Sequence, residues 1–85
     1  MSFAGKKLYI FAKLGDNCGI IDIFVDGKIA ETIDTYSADD IFGACVFRKE
    51  FAKAGKHSVK IEIKGERGIH AKDSYFYLDG IRVEQ

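Results

Sequence analysis

The pair Asp26-Gly27 constrains the fold of this chain more than any other feature of its sequence. It separates residues 21–25, where apolar side chains alternate with Asp22 on the opposite face, from a second β-prone run over residues 29–34. An Asp-Gly pair between two such runs predicts a β-hairpin, because glycine supplies the positive φ that a type I′ turn needs. The sequence therefore predicts two paired strands, with the apolar face of the first toward the core.

Three further segments, residues 6–14, 57–64 and 74–84, alternate in the manner of strands. Residues 57–64 alternate without interruption between apolar and polar side chains, which predicts a strand with one face in water. Residues 74–84 carry apolar side chains on both faces over their first half, so we expect this strand to be central or covered on both sides. Gly80 within it predicts a bulge or a close backbone approach.

The segment 38–54 carries conflicting local signals. Ser37 opens a sequence that resembles a helix-capping box, apolar residues fall on one helical stripe, and Gly55 is placed to end a helix. Against a helix stand Gly43 in the middle of the segment and the β-prone run 45–47. Local physics alone thus leaves two alternatives: an all-β fold, or an α+β fold in which residues 38–54 form a helix over an antiparallel sheet.

The composition restricts the functions that the chain can perform. Its 85 residues are enough for a single domain over residues 1–85, and 13 basic side chains balance 13 acidic ones. A net charge of zero provides no long-range field to attract nucleic acid or anionic lipid, so neither partner is expected. No apolar run is long enough to cross a membrane, and the first residues lack the pattern of a signal peptide.

The cysteines and histidines give no sign of a metal site or of a disulfide framework. Cys18 and Cys45 are expected to be unpaired thiols, since one falls in a predicted loop and the other in an apolar segment. His57 and His70 lack the short spacings that prearrange a zinc site, and no motif such as G-x-S-x-G positions a nucleophile. The sequence therefore predicts neither a metal site nor catalytic residues.

Several short motifs occur in an order that is typical of one known fold. They are Phe3-Ala4-Gly5 with Leu8-Tyr9-Ile10, residues 19–28, residues 32–37, residues 46–47, residues 54–61 and residues 77–83. This order resembles the C-terminal two thirds of a galactose-binding-like β-sandwich, the jelly roll of carbohydrate-binding modules attached to glycoside hydrolases and sialidases. The resemblance implies an all-β antiparallel sandwich in which residues 44–50 are a strand and residues 52–56 a tight hairpin.

The chain departs from that family in two ways. The strands that precede Phe3 in the family are absent, so an edge of the sheet is expected to lie uncovered and to be completed by oligomerisation or by a borrowed strand. Many family members also hold a structural calcium between N-terminal acidic residues and an Asp on the last strand. Asp79 matches the second position, but the N-terminal acids have no counterpart, so no cofactor is expected.

Alternating strand directions would bring the loops 15–18, 35–43 and 65–73 to one end of the sandwich, where function most often lies. Sugars bind through planar hydrogen-bonding groups and through an aromatic ring stacked on C–H faces, and these loops contain both. The candidate ligand-binding residues are Tyr36 as the stacking platform, with Asp39, Asn17, Asp16, Arg67, His70 and Lys72 as polar partners. Charged side chains in such loops are more often solvated than engaged with a ligand.

The α+β alternative, with residues 38–54 helical, would suit a small enzyme or ligand carrier. Two functions follow from the all-β expectation. The first is a non-catalytic carbohydrate-binding module, since an 85-residue sandwich offers no deep cleft for paired catalytic carboxylates. The second is a structural or protein-interaction module that forms a homo-oligomer or docks onto a larger protein. The family resemblance implies an extracellular or periplasmic location, although the sequence shows no export signal.

Overall fold

The structure is a computed structural model that describes residues 1–64 and 75–85. It contains five strands: β1 (Ser2–Leu14), β2 (Ile20–Val25), β3 (Lys28–Asp34), β4 (Ile41–Ile63) and β5 (Leu78–Glu84). They form one antiparallel sheet in the order β3-β2-β4-β1-β5. The described part of the chain contains no helix, so the fold is all-β.

The central hairpin is confirmed. Strands β2 and β3 are joined by Asp26 and Gly27, whose φ angles of 52° and 80° are those of a type I′ turn. The three alternate apolar residues of β2 are buried, as the pattern predicts. On the opposite face the Asp22 carboxylate accepts a 2.6 Å hydrogen bond from the Thr32 hydroxyl and lies 3.7 Å from the Lys64 ammonium.

Strand β4 is 23 residues long and pairs with two different strands. Its first part pairs with β1, where Leu8 faces Lys49, and its last part pairs with β2, where Ile23 faces Ile61. The prediction of a tight hairpin at residues 52–56 is therefore wrong. The register with β1 shifts between Glu50 and Gly55, but the chain continues in one direction, and Gly55 lacks the positive φ that a tight glycine turn would need.

The helical alternative for residues 38–54 is wrong as well, because β4 begins at Ile41. Phe47 and Phe51, which suggested a helical stripe, are four residues apart, and that spacing also places two side chains on the same face of a strand. Both are buried in the core. Gly43 has a φ of 65°, which is incompatible with a right-handed helix at that point.

The core lies on one face of this sheet and combines side chains from three strands. Leu8 and Ile10 of β1 and Ile21 and Ile23 of β2 are fully buried and cluster with Phe47 of β4. β1 and β2 are not neighbours in the sheet, yet their side chains belong to one buried cluster. Each of these aliphatic side chains contributes about 1.5–3 kcal/mol by leaving water.

Strand β5 does not lie where the sequence predicted, but it contains the predicted bulge. Among the described strands it pairs with β1 alone, at the edge of the sheet, and Leu78 is half exposed, so the expectation of a central or doubly covered strand is wrong. The bulge predicted at Gly80 is confirmed: Phe11 faces Gly80 and Ala12 faces Leu78, which leaves Asp79 as the extra residue. The segment 65–74 lies outside the described residues.

Two paired glycines, Gly5 and Gly55, have very different surroundings, and replacing each by alanine tests the packing of β5 on β1. Gly5 and Gly55 pair across β1 and β4, but a Cβ on Gly5 would lie 2.5 Å from Val83 Cγ1 and 2.9 Å from the Glu84 carbonyl oxygen. A Cβ on Gly55 would meet nothing within 4 Å. We expect Gly5→Ala to lower the free energy of unfolding in urea by about 1–3 kcal/mol, because β5 must move away. Gly55→Ala should change it by less than about 1 kcal/mol. Equal losses in both variants would contradict this packing.

Candidate functional site

Backbone hydrogen bonds join the loop after β1 to the segment after β3. The Gly15 N–H donates to the Thr35 carbonyl at 3.3 Å, and the Ser37 N–H donates to the Gly15 carbonyl at 3.0 Å. The buried Thr35 hydroxyl donates to the Gly19 carbonyl at 2.6 Å. Two of the three loops expected to share one end of the fold, 15–18 and 35–43, are therefore held together there.

The residues that precede β5 join the same end. The Tyr75 N–H donates to the Asn17 carbonyl at 3.0 Å, and the Gly19 N–H donates to the Tyr75 carbonyl at 2.9 Å. The Lys13 N–H donates to the Tyr77 carbonyl, also at 3.0 Å. These bonds position two tyrosines beside the end of β1.

Three exposed aromatic rings gather at this point. Phe42, Tyr75 and Tyr77 are 72%, 54% and 39% exposed, and we call them the aromatic end. The Lys13 ammonium lies 5.5 Å from the centre of the Phe42 ring and 4.8 Å from that of Tyr77, and it is 3.6 Å from the Asp40 carboxylate. Lys13 thus connects rings from two different strand ends through cation–π contacts and balances its charge with Asp40.

Polar groups line the same surface. The Asn17 side-chain amide donates to the Tyr77 hydroxyl at 3.1 Å, and the Gly43 N–H donates to the Asp79 carboxylate at 2.5 Å. Behind Asn17 lies the buried thiol of Cys18, whose pKa is raised mainly by its removal from water. Cys18 is therefore held as a neutral packing group and not as a reactive thiolate.

Four of the seven predicted site residues lie in the described part of the chain. Asn17 contacts Tyr77 directly, and Asp16 is half-buried in the same loop. The half-buried Tyr36 forms a bridge with Gly15, and its N–H donates to the Asp34 carboxylate at 3.0 Å. Asp39 is exposed, and its N–H donates to the Ser37 hydroxyl. The other three predicted ligands, Arg67, His70 and Lys72, lie outside the described residues.

Sequence reasoning missed Lys13, Phe42 and the two tyrosines. The alternation of residues 75–83 placed Tyr75 and Tyr77 on the same face as Ile81 and Val83. The extra residue at the β5 bulge reverses that alternation: Ile81 and Val83 pack against the core together with Phe76, and both tyrosines are exposed. Gly80 was the signal that could have revealed this.

Asp79 is the residue that the family resemblance matches to a calcium ligand. The Asp79 carboxylate is engaged by a backbone N–H. Within residues 1–64 and 75–85, no three His, Cys, Asp or Glu side chains converge closely enough to hold a metal ion. No helix of that same part of the chain is long and apolar enough to span a membrane.

The opposite end of the fold is built around His57. Its Nδ1 lies 2.8 Å from the Asp26 carboxylate, and its ring stacks on Phe51 with centroids 3.8 Å apart. Because a carboxylate only accepts, Nδ1 carries the proton. The Ser58 N–H donates to the other Asp26 oxygen at 2.9 Å, and these two hydrogen bonds hold the pKa of Asp26 below its usual value. This constellation fastens the β2–β3 turn to β4 and is structural.

Comparison of the chain with protein-family models, with characterised proteins and with solved structures gave no significant match.

The Asp26 turn makes stability depend on acid pH. Because folding lowers the Asp26 pKa from 3.8, ionised Asp26 stabilises the protein above about pH 4, and this contribution disappears as the pH falls through the folded-state pKa. We expect Asp26→Asn, which suits the turn conformation, to melt below the parent near neutral pH and to approach it at about pH 2. Asp39→Asn removes the same charge at an exposed site and serves as the control. A difference from the parent that does not change with pH would refute this role.

Proposed function

We propose that this protein is a non-catalytic carbohydrate-binding module and that the aromatic end holds the sugar. The observation that supports this most is the convergence of three exposed rings, Phe42, Tyr75 and Tyr77, with the polar groups of Asn17 and Lys13. Surface rings of this kind are costly to leave in water unless a ligand covers them. Their combination with hydrogen-bonding side chains is the chemistry that sugar recognition needs.

Each group has a distinct role in the proposal. The Phe42 ring, the most exposed of the three, stacks against the C–H face of a pyranose. Asn17 offers a planar amide to a pair of hydroxyls, and its bond to the Tyr77 hydroxyl orients it. The Lys13 ammonium is paired with Asp40, and the Asp79 carboxylate lies at the same surface, so an acidic sugar would meet negative charge and a neutral sugar is favoured. This arrangement replaces Tyr36 with Phe42 as the stacking platform.

The fold proposed for this module is the galactose-binding-like sandwich. In support, β4 pairs with β1 along one part and with β2 along another, and the buried cluster draws on both parts. Two sheet halves facing each other across such a core are the elementary form of a sandwich. The proposal includes no catalytic step.

Titration of the protein with a panel of neutral mono- and oligosaccharides, followed by amide NMR shifts, tests this proposal. We expect Phe42→Ala to weaken binding of the recognised sugar about two- to tenfold, the usual worth of one stacking ring, while the melting temperature changes little. Tyr36→Ala serves as the matched control and should leave the affinity unchanged.

Two outcomes would contradict the proposal. If Tyr36→Ala abolishes binding and Phe42→Ala does not, the sugar occupies the site first predicted from the loops. If no sugar in the panel shifts the amides of residues 13–17 and 40–43, the aromatic end has another purpose.

A further inference from the structure

Two stretches of backbone in this sheet have an unpaired edge. β3 is at the end of the strand order and, within residues 1–64 and 75–85, pairs with β2 only. Residues 44–50 of β4 pair with β1 on one side, and among the described residues no strand pairs with their other side. Each such edge presents a row of N–H and C=O groups that a further strand could bond.

These two edges border one groove. A depression of about 370 Å³ lies between Glu31 and residues 45–48, and a second of about 500 Å³ lies between residues 28–30 and the pair Lys49 and Phe51. The two depressions lie end to end between β3 and β4, which run in opposite directions there. We call them together the strand-acceptor groove. It lies on different residues from the aromatic end.

The lining of the strand-acceptor groove is apolar below and cationic at its rim. Buried Val25, Phe47 and Phe51 contribute apolar surface, and Ile29 is 57% exposed beside them. The charged residues of the lining are Lys28, Arg48 and Lys49 against Glu31, together with Asp26, which is already engaged by His57. With three basic side chains against two acidic ones, the lining of the groove carries a small net positive charge.

We propose that the strand-acceptor groove binds an extended segment of another protein by β-strand addition, and that this segment alternates apolar and acidic side chains. Its backbone bonds the free edges of β3 and β4, which supplies affinity without regard to sequence. Its apolar side chains cover Ile29 and the apolar lining, and its acidic side chains meet the lysines and the arginine of the rim. The unpaired backbone edges explain where the segment binds. The basic side chains of the rim explain why its polar side chains are acidic.

The test uses the full chain and the blocked peptide acetyl-Asp-Val-Glu-Val-Asp-Val-Glu-amide. Binding is followed by amide hydrogen exchange, because strand addition slows the exchange of N–H groups in β3 and in residues 44–50, which side-chain contact alone would not do. The exposed thiol of Cys45, which lines the groove, should react at least threefold more slowly with a thiol reagent when the peptide is bound. The buried Cys18 is an internal reference for unfolding.

Matched variants separate the groove from the general surface. Ile29→Asp should weaken the peptide at least tenfold, whereas Ile63→Asp, at an isoleucine that is 55% exposed but outside the groove, should not. Lys49→Glu should weaken it, and Lys56→Glu, an equal change of charge elsewhere, should have no effect. A peptide with proline at its central valine should lose binding, because proline removes a backbone donor.

Several results would overturn the proposal. Absence of binding, equal affinity of the proline peptide, or equal losses in Ile29→Asp and Ile63→Asp would each exclude strand addition at this groove. A concentration-dependent dimer, measured by light scattering and abolished by Ile29→Asp, would identify a second copy of this chain as the occupant and would overturn the assignment to an acidic partner.

Discussion

The rest of the structure depends on the ability of β4 to pair with β1 along its first part and with β2 along its last residues. β4 links the pair formed by β1 and β5 to the β2–β3 hairpin. Neither of these two-stranded parts could bury its apolar face alone. Because β4 carries Phe47 and Phe51 into the same cluster as Leu8 and Ile21, one core serves both parts. A chain of 85 residues buries only a modest share of its surface on folding, so its stability depends on combining the apolar side chains of both parts in one core.

The same strand determines where the two proposed surfaces lie. Its first residues run beside the end of β1, where Leu14 faces Ile41, and this places Phe42 next to Lys13. Its middle residues turn their unpaired edge toward β3 and so form one wall of the strand-acceptor groove. A sugar at the first surface and a protein strand at the second would occupy different residues and would not exclude each other.

Local sequence was sufficient wherever a structural element is specified by neighbouring residues. The Asp26-Gly27 turn and the bulge at Gly80 follow from local backbone chemistry, and both could be predicted. The path of β4 could not, because the spacing of Phe47 and Phe51 suits a helix and a strand alike, and only the pairing with β1 decides between them. For the site, Asn17 could be predicted because it lies in a polar loop. The two tyrosines could not, because the sequence alternation places them on the same face as Ile81 and Val83, and the extra residue at the bulge reverses that alternation.

Cross-strand proton contacts measured by NMR on isotopically labelled protein test the central claim most directly. The account predicts contacts between Leu8 and Lys49 and between Ile23 and Ile61, with β4 continuous between them. Contacts between residues 44–50 and 57–63, the signature of a hairpin, would contradict it. So would the sequential pattern of a helix over residues 38–54, and either result would remove the basis for the strand-acceptor groove.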